Sequence, residues 1–92
     1  MHKIYIRKLR FSEAKDKFLK EIESCFAKGI DIVEVIHGIG TYTLRNMVIE
    51  EVKNLDYVDF LHEPEITFNP GSIKLVIQIP DKSRLNQYLS QE

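Results

Sequence analysis

Apolar and polar residues alternate at the start of the chain, over residues 3–8. Ile4 and Ile6 fall on one side of an extended backbone, whereas Tyr5 and Arg7 fall on the other. A period of two residues is typical of a strand with one buried face. The pattern therefore predicts a first strand whose polar face is exposed.

The pattern changes to a helical one after residue 11. Large apolar residues then recur at spacings of three and four, which places them on one side of a helix. Ser12 is predicted to cap this helix, and Gly29 is predicted to end it. The predicted buried stripe consists of Ala14, Phe18, Ile22, Cys25 and Phe26.

A second strand and a second helix follow. Residues 32–36 are a run of mainly β-branched residues, which is typical of a strand buried more deeply than the first. After a turn with two glycines, Thr41 or Thr43 is predicted to cap a helix that ends near Asn54. The apolar stripe of this helix consists of Leu44, Met47, Val48, Val52 and Leu55.

The last third of the chain predicts two more strands, over residues 57–62 and 73–79, where apolar and polar positions alternate. The segment between them, residues 63–71, contains two prolines and a glycine and is predicted to be a loop. Residues 81–92 are predicted to form a C-terminal tail or a short helix.

The predicted order of elements is β-α-β-α-β-β. Because crossovers between parallel strands are nearly always right-handed, two successive crossovers in the same direction place both helices on one face of the sheet. The predicted fold class is α/β, a two-layer sandwich with a mixed four-stranded sheet whose other face is open. A chain of 92 residues is expected to be a single domain, 1–92, with its core at about residues 3–80.

Composition and charge limit the expected location of the protein and the kind of partner it binds. No apolar run approaches the roughly 20 residues that span a bilayer, so no membrane partner is expected. A single cysteine excludes an internal disulfide and favours a cytoplasmic location. The net charge is −1, yet residues 1–20 carry seven basic side chains and two acidic ones. A basic segment is a candidate surface for a polyanion, and an ordinary solvated face is the alternative.

The strongest local signal is a glycine pair between the second strand and the second helix, in residues 37–41, His-Gly-Ile-Gly-Thr. Glycine lets a ligand approach the backbone, and a helix start offers unpaired N–H groups with partial positive charge. Arg45 lies about one turn into the helix and can reach the same place. These features predict a phosphate or other anion site, and a tight turn that needs two glycines is the alternative. Tyr42 could stack on a base, and local packing explains it equally well.

The glycine turn and its surroundings resemble the Smr (small MutS-related) domain family. Residues 37–41 and the Leu-Arg pair that follows are similar to that family's His/Thr-Gly-x-Gly motif and its Leu-Arg. The start of the first helix at Phe11 and the closing pair of strands over residues 57–77 are also similar. The resemblance covers roughly residues 3–80, and the order of elements agrees.

The resemblance implies nucleic-acid binding, because members of the family bind DNA or RNA and several nick or cleave it. The family's second motif, Leu-Asp-x-His in the first strand, carries an acid and a histidine that are implicated in cleavage. Those positions are Tyr5 and Arg7 here. Tyr5 is no carboxylate, and Arg7 stays protonated and cannot shuttle a proton near neutral pH. Arg7 can still contact a phosphate through its planar fork of donors.

We therefore predict a domain that binds nucleic acid through the backbone, DNA in preference to RNA. The nicking endonuclease activity that the resemblance implies would use His37 as general acid or base, together with a divalent metal, Mg or Mn. A purely structural role for His37 is the alternative, and no metal-ligating residues are predicted. The predicted nucleic-acid-binding residues are Arg7, Lys8, Arg10, His37, Gly38, Gly40, Thr41 and Arg45.

Another class of function stays open. The open sheet face, with Tyr5 and Val76 on it, could pair two copies of the chain. The protein would then be an interaction or homodimerisation module without nuclease activity. A small-molecule enzyme is the least favoured class, because the sequence shows no nucleophile–base pair and so short a chain is expected to leave little room for a pocket of ligand size.

Overall fold

The structure is a computed structural model that describes residues 1–40, 42–64 and 69–78. The predicted β-α-β-α-β-β order is confirmed. The elements are β1 (His2–Tyr5), α1 (Phe11–Lys28), β2 (Ile32–Ile36), α2 (Thr43–Asn54), β3 (Val58–Phe60) and β4 (Ser72–Ile77).

The four strands form one mixed sheet in the order β1-β2-β4-β3. β1 runs parallel to β2, and β4 runs antiparallel to both β2 and β3. The register places Ile4 beside Val35 and Val35 beside Ile73, so that buried side chains of three strands form a row. Both helices pack on this side of the sheet, which confirms the predicted two-layer α/β sandwich.

The apolar stripe of α1 supplies much of the core, and Phe18 and Ile22 are fully buried in it. Phe26, which was predicted to belong to the stripe, is 36% exposed, and its ring packs 4.8 Å from the ring of Tyr57. Leu55 is the residue that ends α2 and is only partly buried against the core.

Both helix starts differ from the prediction. The N–H of Ala14 donates to the carbonyl of Arg10 at 2.8 Å, so Arg10 is the N-cap of α1 and Ser12 lies inside its first turn. Tyr42, rather than Thr43, is the N-cap of α2. Thr41 lies outside the described residues. Neither N-cap side chain makes a hydrogen bond to its helix.

The end of α1 agrees with the prediction, since Gly29 is a left-handed C-cap. β1 ends earlier than predicted, because the N–H groups of Ile6 and Arg7 both donate to the carbonyl of Ile36 and the ladder stops there. β3 is also shorter than predicted. The tail or short helix predicted over residues 81–92 lies outside the described residues, and the single-domain organisation stays a prediction. No helix in the described part of the chain is long and apolar enough to cross a membrane.

Candidate functional site

A cleft of about 820 Å³ opens where β1 and β2 end. It is lined by residues that follow β1, residues that follow β2, residues that precede β4 and the first residues of both helices. Ligands of open α/β sheets bind at this edge, beyond the carboxyl ends of parallel strands. The volume falls in the range of about 300–1,000 Å³ that is usual for ligand pockets. The expectation that so short a chain leaves little room for a pocket is therefore wrong.

A compact hydrogen-bond network holds the glycine turn against the start of β4. The N–H groups of His37 and Gly38 both donate to the carbonyl of Gly71, each at 3.0 Å. The buried side chain of Asn69 accepts from the N–H of Gly71 at 2.8 Å and donates to the carbonyl of Gly38 at 3.4 Å. The turn after β2 and the loop before β4 therefore form one unit.

The two glycines of the turn have different roles. Gly38 has a φ of +90°, a conformation that side-chain-bearing residues rarely adopt. A Cβ at this position would also lie 3.3 Å from Cγ of Arg7. A Cβ on Gly40 would meet no atom within 4 Å. The turn therefore needs glycine at position 38, both for its backbone conformation and for the close contact with the Arg7 side chain. Position 40 has open space beside its Cα, so a side chain there would meet no described atom.

His37 is 4% exposed and points into the turn. Its Nδ1 lies 3.0 Å from the carbonyl oxygen of Gly38. Because a carbonyl can only accept, Nδ1 must carry the proton in the neutral ring. Nε2 is then an acceptor, and it is buried without a hydrogen-bond partner among the described residues. Burial lowers the pKa of His37, the hydrogen bond to Gly38 opposes that shift, and the charge of Arg45 adds to it.

The electrostatics of the cleft favour an anion. Arg7 and Lys8 line it and are exposed. Among the described residues that line it there is no aspartate or glutamate, although the chain has 14 acidic residues. The starts of α1 and α2 meet the cleft at Phe11 and Thr43. Neither N-cap side chain bonds to its helix, and the partial positive charge of each helix start adds to the attraction for an anion.

Lys8 adopts a strained backbone. Its φ is +67°, and it is the one residue other than glycine with a positive φ in the described part of the chain. A left-handed conformation costs a side-chain-bearing residue about 1 kcal/mol or more. Strain of this kind is concentrated at functional positions. The turn directs a basic residue into the cleft at the expense of some stability.

Other predicted site residues lie elsewhere. Arg10 is exposed at the start of α1 but does not line the cleft. Arg45 is 8% exposed, with its guanidinium carbon 5.5 Å from the centre of the Tyr42 ring. It lines a second cavity of about 340 Å³ together with Glu34. Thr41 lies outside the described residues. The structure thus brings Arg7, Lys8 and the glycine turn together in one cleft and places Arg45 at a different cavity.

Sequence reasoning missed several residues of this site. Phe11 and Ile39 line the cleft with exposed apolar side chains, and Asn69 and Gly71 fix its floor by hydrogen bonds. The signal for the last two was present in the topology. A strand that runs antiparallel to β2 must begin at the edge where β2 ends, so the loop before β4 had to lie beside the glycine turn.

Potential metal ligands are not clustered in the described residues. Over residues 1–40, 42–64 and 69–78, no three His, Cys, Asp or Glu side chains are placed to hold a metal ion together. The one cysteine, Cys25, is buried in the stripe of α1, and burial raises the pKa of its thiol. Cys25 is therefore a core residue.

Comparison with known proteins supports the resemblance seen in the sequence. A solved structure described as the Smr domain of Thermus thermophilus MutS2 matches with a TM-score of 0.71 and 25% identity, over 87% of this chain and 100% of that one. Endonuclease MutS2 of Lactobacillus helveticus is 36% identical over 53 residues, which are 58% of this chain and 7% of the endonuclease. The chain thus spans only a small part of that relative.

The sequence profile of the Smr domain matches residues 4–69. This range starts in β1 and includes both helices, the glycine turn and β3. The fold and the matched residues agree, and the chain belongs to the Smr domain family.

Proposed function

We propose that this Smr domain binds nucleic acid, DNA in preference to RNA, by holding backbone phosphates in the cleft at the ends of β1 and β2. The observation that carries the proposal is the charge of the cleft. Two exposed cations line it, and no described lining residue is acidic, in a chain whose net charge is negative.

The donors in the cleft suit a phosphate. Arg7 offers a planar fork that matches two phosphate oxygens, and its stem lies against Gly38, where a side chain would crowd it. Lys8 adds a point charge beside it. The open space at Gly40 lets an oxygen approach the backbone near the start of α2. Arg10 lies next to the cleft and is proposed to contact a neighbouring phosphate.

Cleavage is a separate question from binding. The name of the Lactobacillus helveticus relative describes that protein as an endonuclease. In this chain Nε2 of His37 is buried and does not contact solvent in the described structure. This burial favours a structural role for His37 in the turn. A catalytic role for His37, with a divalent metal, stays a prediction. The cytoplasmic location also stays a prediction.

Salt dependence of binding tests the proposal. We expect fluorescence anisotropy with labelled DNA to show an affinity that falls as salt rises, because counterions are released from phosphates. Arg7→Ala should weaken binding and reduce the slope of log affinity against log salt by about one contact. Lys20→Ala is the matched control, because Lys20 is an exposed base of α1 that does not line the cleft. An equal loss in both variants, or no binding by the wild type, would remove the cleft as the site.

The homodimer alternative has less support. Tyr5 and Ile32 are exposed on the uncovered sheet face, but Lys3, Glu34 and Lys74 lie between and beside them. Glu34 is already hydrogen-bonded within the sheet. A dimer therefore stays a prediction, and its test is the mass measured over a concentration series by sedimentation.

A further inference from the structure

Two large apolar side chains are exposed inside the cationic cleft. Phe11 is 50% exposed and Ile39 is 76% exposed, and both line the cleft that holds Arg7 and Lys8. A single exposed apolar residue needs no explanation. Two in one concave site, beside two cations and no described acid, form a surface that is apolar and positively charged at once.

The position of Phe11 adds to this observation. Phe11 lies three residues before Ala14, which lies four residues before Phe18. This helical spacing places Phe11 in line with the buried stripe of α1. It is nevertheless half exposed, because it is the first residue of the helix and lies at the cleft rather than over the sheet. Ile39 is held nearby by the glycine turn, whose backbone is fixed to Gly71. At least half of each side chain stays exposed in the described part of the protein.

We propose that the cleft binds unpaired nucleotides, with a base against Phe11 and Ile39 and its phosphate at Arg7 and Lys8. The target would be single-stranded DNA, or single-stranded segments within a larger structure, in preference to regular duplex. This inference rests on the proposed nucleic-acid binding and specifies the substrate class of the same site.

The physical reason is the accessibility of the base. In a duplex, each base is covered on both faces by its neighbours, so that an aromatic ring in a protein cleft cannot reach it. In a single strand the base can leave the stack and pack on an aromatic or apolar surface, while cations follow the backbone. The cleft volume of about 820 Å³ falls in the range of sites that take small ligands, and a single nucleotide is a ligand of that class.

The experiment compares three labelled DNA ligands of equal phosphate number: a single strand, a blunt-ended duplex without a loop, and a single strand in which every site is abasic. Affinities are measured by fluorescence anisotropy with the whole chain at two salt concentrations. We expect the ordinary single strand to bind most tightly. We expect Phe11→Ala to weaken binding of that strand about tenfold and to leave binding of the abasic strand unchanged. A single strand of RNA in a further arm separates the two kinds of backbone.

Phe26→Ala is the matched control, because Phe26 is a partly exposed aromatic residue of the same helix that packs on Tyr57, away from the cleft. It should leave the affinity for all three ligands unchanged. Phe11→Tyr keeps an aromatic face and should retain binding, which separates the loss of stacking in Phe11→Ala from a general change in α1. Thermal unfolding of each variant checks that the fold is retained.

The outcomes separate this inference from the proposal on which it rests. Salt-sensitive binding with equal affinity for all three ligands, unchanged in Phe11→Ala, would overturn the base contact and leave phosphate binding in place. The absence of binding to any ligand would overturn both. Loss of binding to the abasic strand in Phe11→Ala would also overturn the base contact, since that ligand has no base to stack.

Discussion

The packed side of the sheet and the cleft use the same strands in different ways. Along β2 and β4, alternate residues such as Val35 and Leu75 point to the helices and are fully buried. Just beyond the ends of these strands, the backbone turns through positive φ at Gly38 and Gly71, and polar groups are paired with one another. Stability comes from the first region, whereas the second carries the strained backbone of Lys8 and the exposed cation of Arg7, which a ligand can contact.

The comparison predicts that core and cleft variants differ in which property they lose. Phe18→Ala should have the largest effect, because Phe18 is fully buried and removing such a ring costs about 3–5 kcal/mol. That is a large part of the roughly 5–15 kcal/mol that stabilises a typical domain. Urea unfolding measures the loss, and DNA affinity measured where the variant is still folded should be close to wild type. A loss below about 1 kcal/mol would show that the core is not centred on this residue.

Gly38→Ala should affect both regions. An alanine at a φ of +90° is strained by about 1–3 kcal/mol, and its Cβ would displace the stem of Arg7. We expect lower stability in urea and weaker DNA binding in anisotropy. Gly40→Ala is the control for the stability measurement, because its Cβ would meet no atom within 4 Å. An equal loss of stability in the two variants would contradict the different roles assigned to the two glycines.

The same comparison explains which features were predictable. The buried stripe of α1 follows from periodicity, because side chains that are buried at regular intervals leave a regular pattern in the sequence. The span of β2 follows from its run of β-branched residues. The geometry of the site depends instead on backbone conformations and long-range hydrogen bonds, which leave no periodic pattern in the sequence. Lys8 has a positive φ that its residue type does not indicate, and Asn69 acts through a hydrogen bond to a residue 31 positions away. Arg45 lies about one helical turn from the glycine turn, which predicts a contact with the ligand. The side chain is buried instead, and its burial depends on tertiary packing that the sequence pattern does not show.

The pH dependence of stability tests the role of His37 in the turn. Burial lowers the pKa of His37 in the folded state, so the unfolded chain takes up the proton first as the pH falls. Its contribution to stability should be complete above about pH 6.5 and should decline below that value, by at most about 1.4 kcal/mol per pH unit. His37→Asn keeps a donor near the Gly38 carbonyl and cannot be protonated in this range. Urea unfolding from pH 7.5 to 5 should show a smaller decline in the variant, and parallel curves would refute the assignment.

The smallest expected change in stability comes from a variant in which stability and DNA affinity should not fall together. Lys8→Gly removes the left-handed strain, while the flexibility of glycine in the unfolded chain offsets part of that gain. Stability should be unchanged or higher by up to about 1 kcal/mol. DNA affinity should fall, with a shallower salt dependence, because a cation leaves the cleft. Lys3→Gly removes the same charge from an exposed position in β1 and should lower stability by about 0.5–1 kcal/mol. If Lys8→Gly lost stability as Lys3→Gly does, the turn at Lys8 would not be strained. If it kept full affinity, the strain would have no connection with binding.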